Sequence, residues 1–173
     1  MNFEKYYDLE TYLINEVGEN FRSKGELTPF DFYLILTWKA NRSKNTTKKR
    51  LETLGGSFSA AVSKIASALT ANCEPKDKLQ TLMCDWKFRL PMATAILTVL
   101  YPLDFTVYDI RVCDSLKRFH NLADRKFSDS LWEEYCAFKA AVERETPSHL
   151  SLRNKDRYLW GKSFFEESKK KCR

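Results

Sequence analysis

The chain has 173 residues, a hydrophobic fraction of 43% and a formal net charge of +6 at pH 7. This length and composition predict one compact domain that spans residues 1–173. The excess of Lys and Arg favours nucleic acid over an acidic protein or free metal as the partner, the alternative being an ordinary solvated basic surface. No apolar run is long enough to span a membrane, and the N-terminus does not resemble a signal peptide.

The placement of cysteine and histidine predicts a protein without a metal or a cofactor. The five cysteines include no CxxC pair, and most occupy apolar helical positions, which is typical of reduced core thiols in the cytoplasm. His120 and His149 have no partner at the spacing of metal ligands. We therefore expect a cytoplasmic protein, which we take to be a monomer.

Apolar residues recur at helical spacing along the chain, and period-2 alternation is nearly absent. This pattern predicts an all-α fold. A first amphipathic helix is predicted over residues 3–22. Thr28 precedes Pro29, with Asp31 three residues after Thr28, and this capping pattern predicts a helix that runs to about Trp38.

The middle of the chain contains the clearest helical pair. Gly55 and Gly56 break the chain before Ser57, and the next helix has apolar residues at i, i+3, i+4 and i+7, namely Val62, Ile65, Ala66 and Leu69. After Pro75 the same spacing occurs on both sides of the interruption KFRLP. The first segment has Leu79, Leu82, Met83 and Trp86, and the second has Met92, Ala95, Ile96 and Val99. Two short helices joined in this way predict a helix-hairpin-helix unit over about 76–100.

The C-terminal part is predicted to hold three more helices. The sequence LDFTVYD, residues 103–109, is predicted to be a short extended connector, with a helix starting at or near Asp109. A second helix is expected from a Ser128 cap to about Arg144, and a last one from about Ser151 into the basic tail.

The segment PMATAILTVLYPLDFTVYD, residues 91–109, resembles the part of the helix-hairpin-helix DNA glycosylase superfamily that runs from the hairpin to the catalytic aspartate. In that family a helix of the type T-A-x-x-[IV]-L follows the hairpin, and a connector then leads to the Asp. Here Ala95, Ile96 and Leu97 lie in the helix, and Asp109 ends the connector. The best-matched stretch is residues 79–118, and LILTWKANR and LRNKDRYLWGK resemble flanking helices of small glycosylase-like proteins.

The resemblance implies excision of a modified or damaged base from duplex DNA, in repair or in defence, with Asp109 as the catalytic carboxylate. Base loss builds positive charge on the deoxyribose, which a carboxylate fixed at a helix start can stabilise. The hairpin would hold a phosphate while the target nucleotide rotates out of the stack. The residues expected to contact DNA are Lys87, Phe88, Arg89, Leu90 and Arg111. The residues expected to form the base pocket are Trp38, Lys39, Tyr158 and Trp160.

Three departures from the family pattern refine this expectation. The two hairpin glycines of the family match Lys87 and Arg89 in this chain. Glycine lets a DNA phosphate approach the backbone closely. The charges of Lys87 and Arg89 either replace part of that contact or indicate a hairpin that no longer binds DNA in the usual way. The lysine nucleophile of bifunctional members matches Pro91, which cannot form a Schiff base, so the resemblance implies a monofunctional, hydrolytic enzyme. The chain also lacks the cluster of four cysteines that holds an iron–sulfur cluster in some members.

The residues leave simpler readings open. Asp109 also fits a helix cap without chemistry. Arg111 is placed equally well to pair with Asp109, to contact phosphate or to point into solvent. Lys87 and Arg89 are also compatible with surface charges, and the aromatic residues with a core. For the whole protein, the alternatives are a non-catalytic helix-hairpin-helix DNA-binding module and a helical interaction protein.

Overall fold

The computed structural model describes residues 3–172, and every regular element within that range is helical. This confirms the predicted all-α fold. The N-terminal part has a 3-10 turn at Glu4–Tyr6, then α1 (Leu9–Tyr12), a π-helical segment at Leu13–Val17 and α2 (Gly18–Lys24). The predicted helix over 3–22 is therefore interrupted, because the Asp8 side chain caps α1 by accepting from the Thr11 N–H at 3.3 Å.

The next three helices begin and end where local chemistry predicts. They are α3 (Pro29–Ala40), α4 (Lys44–Gly55) and α5 (Phe58–Ala71). Thr28 caps α3 by accepting a 3.0 Å hydrogen bond from the Asp31 N–H, with Pro29 at the first helical position. Ser57 caps α5 in the same way. Gly55 is required where α4 meets α5, since a Cβ there would lie 2.5 Å from that of Ala61.

Two helical segments then enclose a tight turn. They are α6 (Pro75–Gln80), which continues as a π-helical segment at Thr81–Asp85, and α7 (Leu90–Leu100). We call the residues between them the 86–89 turn. The Phe88 N–H in this turn donates to the carbonyl of Leu82 in the preceding helical segment at 3.0 Å, and Lys87 has a φ of +56°. A helical pair is thus present where the sequence predicts one.

The last elements are α8 (Ile110–Leu116), α9 (Asp129–Arg144) and α10 (Leu152–Lys171). The helices begin where predicted, and Asp109, Ser128 and Ser151 cap them with their side chains. Residues 105–109 have no regular secondary structure and form the connector that precedes α8, whereas residues 102–104 form a turn, so the connector begins two residues later than predicted. Helix α10 packs along α8 and α9, and this packing brings the C-terminal helix beside the connector.

Helix α7 lies at the centre of the core. All of its side chains from residue 93 to residue 100 are buried, and it packs against α2, α3 and α6. Of the five cysteines only Cys113 is fully buried, while Cys73 and Cys172 are exposed, so the prediction of mostly core thiols is wrong. None of the helices in residues 3–172 combines the length and the hydropathy needed to cross a bilayer.

Candidate functional site

A surface cavity of about 550 Å³ lies where α1, α3, the connector, α8 and α10 meet. Four apolar side chains form part of its wall, namely Trp38, Val107, Val112 and Trp160. Six charged side chains complete the lining, namely Glu10, Lys39, Asp109, Arg153, Asp156 and Arg157. The volume lies within the range of sites that enclose small ligands. Four residues predicted from the sequence, Asp109, Trp38, Lys39 and Trp160, therefore meet in one cavity.

Asp109 is both a helix cap and a cavity residue. Its Oδ1 accepts a 3.1 Å hydrogen bond from the Arg111 N–H at the start of α8. Its Oδ2 accepts a 2.7 Å hydrogen bond from the Lys39 Nζ on α3. A quarter of the Asp109 side chain is exposed. The carboxylate is thus held by two donors and remains open to the cavity.

The connector before Asp109 is fixed by side chains from three helices. Tyr135 on α9 donates its O–H to the Thr106 carbonyl at 2.8 Å and accepts from the Thr106 N–H at 3.1 Å. Thr94 on α7 accepts from the Tyr108 N–H at 3.0 Å. Asp156 on α10 accepts from the Val107 N–H at 2.9 Å. These bonds satisfy buried backbone groups and set the position from which Asp109 enters the cavity.

A buried ionic network closes the inner side of the cavity. Asp156 is only 1% exposed and accepts from the Thr106 hydroxyl at 2.8 Å, while Arg153 pairs with it. Arg153 also donates to Glu10 at 2.8 Å, and its guanidinium lies 5.3 Å from the ring centroid of Trp38. Burial raises the pKa of Asp156 to about 6, with the charge of Arg153 opposing that rise. This network holds the Trp38 ring against the cavity.

The 86–89 turn presents charge outward and apolar side chains inward. Lys87 and Arg89 are exposed, and Arg89 pairs with Asp124 at 2.6 Å. Phe88 and Leu90 lie in the core, so their side chains are not available to DNA, contrary to the expectation that they contact it. Leu90 still offers its backbone N–H at the first position of α7. Arg50 covers the Phe88 ring at 5.3 Å, and burial together with the nearby Arg89 charge lowers the pKa of Arg50.

Arg111 and Tyr158 take positions that the sequence did not define. The Arg111 N–H binds Asp109, but its guanidinium pairs with Glu167 at 2.7 Å and lies against Trp160. Tyr158 is half exposed and does not line the cavity with Trp160. The side chain of Arg111 is therefore beside the predicted pocket, and the ring of Tyr158 is outside the lining.

Sequence reasoning did not single out Glu10, Arg153, Asp156 or Arg157. Glu10 and Arg153 are 143 residues apart, and no motif links them. Arg153 and Asp156 stand at i and i+3 within LRNKDRYLWGK, the helical spacing that brings two side chains together. That spacing was the one available signal for this part of the site. Among residues 3–172 no group of His, Cys, Asp and Glu is arranged to hold a metal ion.

Comparison of the chain with protein-family models, with curated proteins and with solved structures found no match.

Proposed function

We propose that this protein is a DNA N-glycosylase that excises a modified base, with Asp109 as the catalytic carboxylate. The observation that carries the proposal is the position of Asp109, which is fixed at the start of α8 and open to a cavity of about 550 Å³ between two tryptophans. Such a cavity suits a flat group that offers aromatic faces to the tryptophans and polar edges to the charged side chains of the lining. An extruded nucleobase has these properties.

The chemistry assigned to Asp109 is stabilisation of the sugar. When the C1′–N bond breaks, the bond electrons leave with the base and positive charge develops on the deoxyribose. A carboxylate already held by the Arg111 N–H and by Lys39 does not need to reorganise as that charge appears. A water molecule then adds to C1′ and releases one proton to the solvent, while the departed base anion takes up one proton from the solvent, so the products are the neutral free base and an abasic site.

Lys39 supplies the opposite charge within the same cavity. Its Nζ lies 2.7 Å from Asp109 Oδ2, so a base in the cavity is close to a cation as well as to an anion. The leaving base gains negative charge as the bond breaks, and an ammonium donor stabilises that charge. An ammonium paired with a carboxylate has no free electron pair to attack C1′. Lys39 therefore fits a role with the leaving base in a hydrolytic, monofunctional reaction.

The walls of the cavity provide stacking surfaces. Trp38 and Trp160 belong to different helices, α3 and α10, and both line the cavity. Aromatic faces hold an extruded base whatever its sequence context. The guanidinium of Arg153 against Trp38 keeps this ring in place before DNA arrives.

The 86–89 turn is the candidate phosphate-binding element. Lys87, Arg89 and the N–H of Leu90 lie within four residues of each other, at the N-terminus of an eleven-residue helix. The hydrogen bond from Tyr108 to Thr94 links that helix directly to the connector that ends at Asp109. We propose that the partner is duplex DNA with a modified base, bound by a monomer in the cytoplasm without a cofactor.

The experiment that tests this function measures base release. Duplexes with alkylated, oxidised, deaminated or hypermodified bases are incubated with the purified protein, and strand cleavage is compared with and without hot alkali. Cleavage only after alkali indicates abasic sites and a monofunctional glycosylase. Cleavage without alkali contradicts the monofunctional assignment. Salt-sensitive binding without any cleavage indicates the non-catalytic DNA-binding module, and the absence of both indicates an interaction protein.

A further inference from the structure

Two aromatic rings form a stack on the exposed side of α10. Trp160 and Phe164 stand one helical turn apart, with ring centroids 5.5 Å from each other and an interplanar angle of 11°. The two side chains are 41% and 50% exposed. The Arg111 guanidinium lies 5.3 Å from the Trp160 centroid and 5.5 Å from that of Phe164. An ion pair with Glu167 at 2.7 Å fixes Arg111 there.

This stack continues from the cavity onto the surface. Trp160 lines the cavity, whereas Phe164 lies one turn further along α10 and outside the lining. The two rings are nearly parallel, so a third planar group next to Phe164 would extend the same stack. Large aromatic side chains are normally buried, and a preformed parallel pair in water is available to a planar ligand.

The charge around the stack identifies the kind of ligand. Arg157 and Lys171 lie at helical spacing from Trp160 and Glu167 on the face of α10 that carries the stack. Together with Arg111 they place three positive charges there against the one negative charge of Glu167. A planar group attached to a polyanion is complementary to this surface. A nucleobase on its phosphate backbone is such a group, and stacking combined with basic charge is how single strands are bound without sequence preference.

We infer that Trp160, Phe164 and Arg111 form a stacking platform for an unpaired base next to the base in the cavity. This inference rests on the proposed function, because it assumes that a nucleotide of the same strand occupies the cavity. It specifies the substrate class as DNA that is single-stranded, or locally opened, beside the target. A lipid surface is the less favoured occupant, since insertion into a bilayer needs apolar side chains but no parallel alignment of their rings.

The test compares two probes of equal charge by fluorescence anisotropy. One is a short labelled thymidine oligomer, and the other is an abasic oligomer of the same length and backbone. Neither contains an excisable modified base, so the outcome does not depend on glycosylase activity. The variant Phe164→Leu keeps an apolar side chain but has no aromatic face. Phe165→Leu is the matched control, because Phe165 is adjacent, 65% exposed and outside the Trp160 stack.

The wild-type protein is expected to bind the thymidine oligomer more tightly than the abasic one, because bases stack both in the cavity and on the platform. Phe164→Leu should lower this preference by about five- to 150-fold, which is the range for stacking one base, whereas Phe164→Trp and Phe165→Leu should keep it. Equal affinity of the wild type for both probes would overturn the inference, as would an unchanged preference in a folded Phe164→Leu variant. A third outcome would assign the surface to membranes instead. In that outcome the wild type has no preference between the oligomers, and it binds anionic lipid vesicles as do both leucine variants.

Discussion

At position 109 one carboxylate satisfies a helix terminus and also faces a cavity. The two roles use different oxygens, since Oδ1 accepts from the Arg111 N–H and Oδ2 from Lys39. The capping interpretation of Asp109 and the catalytic interpretation are therefore compatible. They differ in what happens when the charge is removed and the shape is kept.

Asp109→Asn is expected to stop base release while the protein stays folded. An Asn side chain caps a helix about as well as Asp but gives up the ion pair with Lys39, so the free energy of unfolding should fall by only about 1 kcal/mol. The loss of one preorganised charge at the sugar should lower the rate of base release by about 10²- to 10³-fold. Single-turnover base release, followed by alkaline cleavage, measures this rate.

Asp114→Asn is the matched control for this change. Asp114 lies on the same short helix, is exposed and pairs with His120 away from the cavity lining. Its variant should release the base at the wild-type rate. A folded Asp109→Asn protein that excises as fast as wild type would leave Asp109 with a capping role alone.

Asp156 should make the stability depend on pH in an unusual direction. Burial raises its pKa from 3.8 to about 6, so the folded protein retains a proton that the unfolded chain has already lost. The contribution of this group to the free energy of unfolding is therefore full below pH about 4 and is lost as the pH rises through 6. At 1.36 kcal/mol per pH unit the loss is about 3 kcal/mol.

The measurement is denaturant unfolding of wild type and Asp156→Asn from pH 4 to pH 7. Subtracting the free energy of unfolding of the variant from that of wild type at each pH removes the contributions of all other carboxyl groups. Wild type should lose stability relative to the variant as the pH rises. A difference that is constant over this range, or that moves in favour of wild type, would show that the hydrogen bonds from Thr106 and Val107 and the charge of Arg153 balance or outweigh the effect of burial.

At the scale of elements, helix starts were predictable and helix irregularities were not. Thr28 and Ser128 signal their helices through chemistry within three residues, and the structure confirms both caps, while Ser151 caps the helix that was predicted to begin about there. The π-helical segments at Leu13–Val17 and Thr81–Asp85 have no such local signal. The first of them ends at Gly18, where a Cβ would lie 2.3 Å from the Val99 carbonyl oxygen. That contact depends on α7, which is some eighty residues further along the chain.

The 86–89 turn keeps a glycine-like backbone without a glycine. Lys87 has a φ of +56°, a conformation that glycine adopts without strain and that costs other residues about 1 kcal/mol. Lys87→Gly should therefore raise the free energy of unfolding, by up to about 1 kcal/mol after the greater chain entropy of glycine is subtracted. Chemical denaturation measures the change.

Arg89→Gly is the control for this element. Arg89 has a φ of −79°, which suits any residue, so glycine brings no relief there and should lower stability by roughly 0.5–1 kcal/mol. If Lys87→Gly raises the free energy of unfolding and Arg89→Gly lowers it, the backbone strain of the turn is at Lys87 and not at Arg89. Equal destabilisation by both would contradict it.

At the scale of the whole molecule, the candidate site joins residues that are far apart in sequence. Trp38 lies on α3, Asp109 caps α8 and Trp160 lies on α10, and the resemblance around residues 91–109 located only Asp109. Trp38 and Trp160 were proposed as pocket residues because aromatic side chains can stack on an extruded base. Glu10, Arg153 and Asp156 could not be predicted, because long-range packing of α1 against α10 creates their network.

The distribution of basic side chains over the whole molecule determines how the protein would hold DNA. Basic side chains at the 86–89 turn and on α10 belong to one molecule with a net charge of +6. Each phosphate that a basic group neutralises adds about 0.9 to the slope of log affinity against log salt for duplex DNA. The double variant Lys87→Ala, Arg89→Ala should therefore reduce that slope by about 1.8 if both side chains bind phosphate.

Removing two positive charges from any part of the protein would weaken DNA binding, so the control variant must remove the same charge elsewhere. Lys24 ends α2 and Arg144 ends α9, both are exposed, and neither lines the cavity. The variant Lys24→Ala, Arg144→Ala should lower the affinity slightly and leave the slope at its wild-type value. If the two double variants have the same slope, Lys87 and Arg89 contribute to DNA binding only through the net charge of the protein. The phosphate contacts would then lie elsewhere, and α10, with its seven Lys and Arg residues, would be the next surface to test.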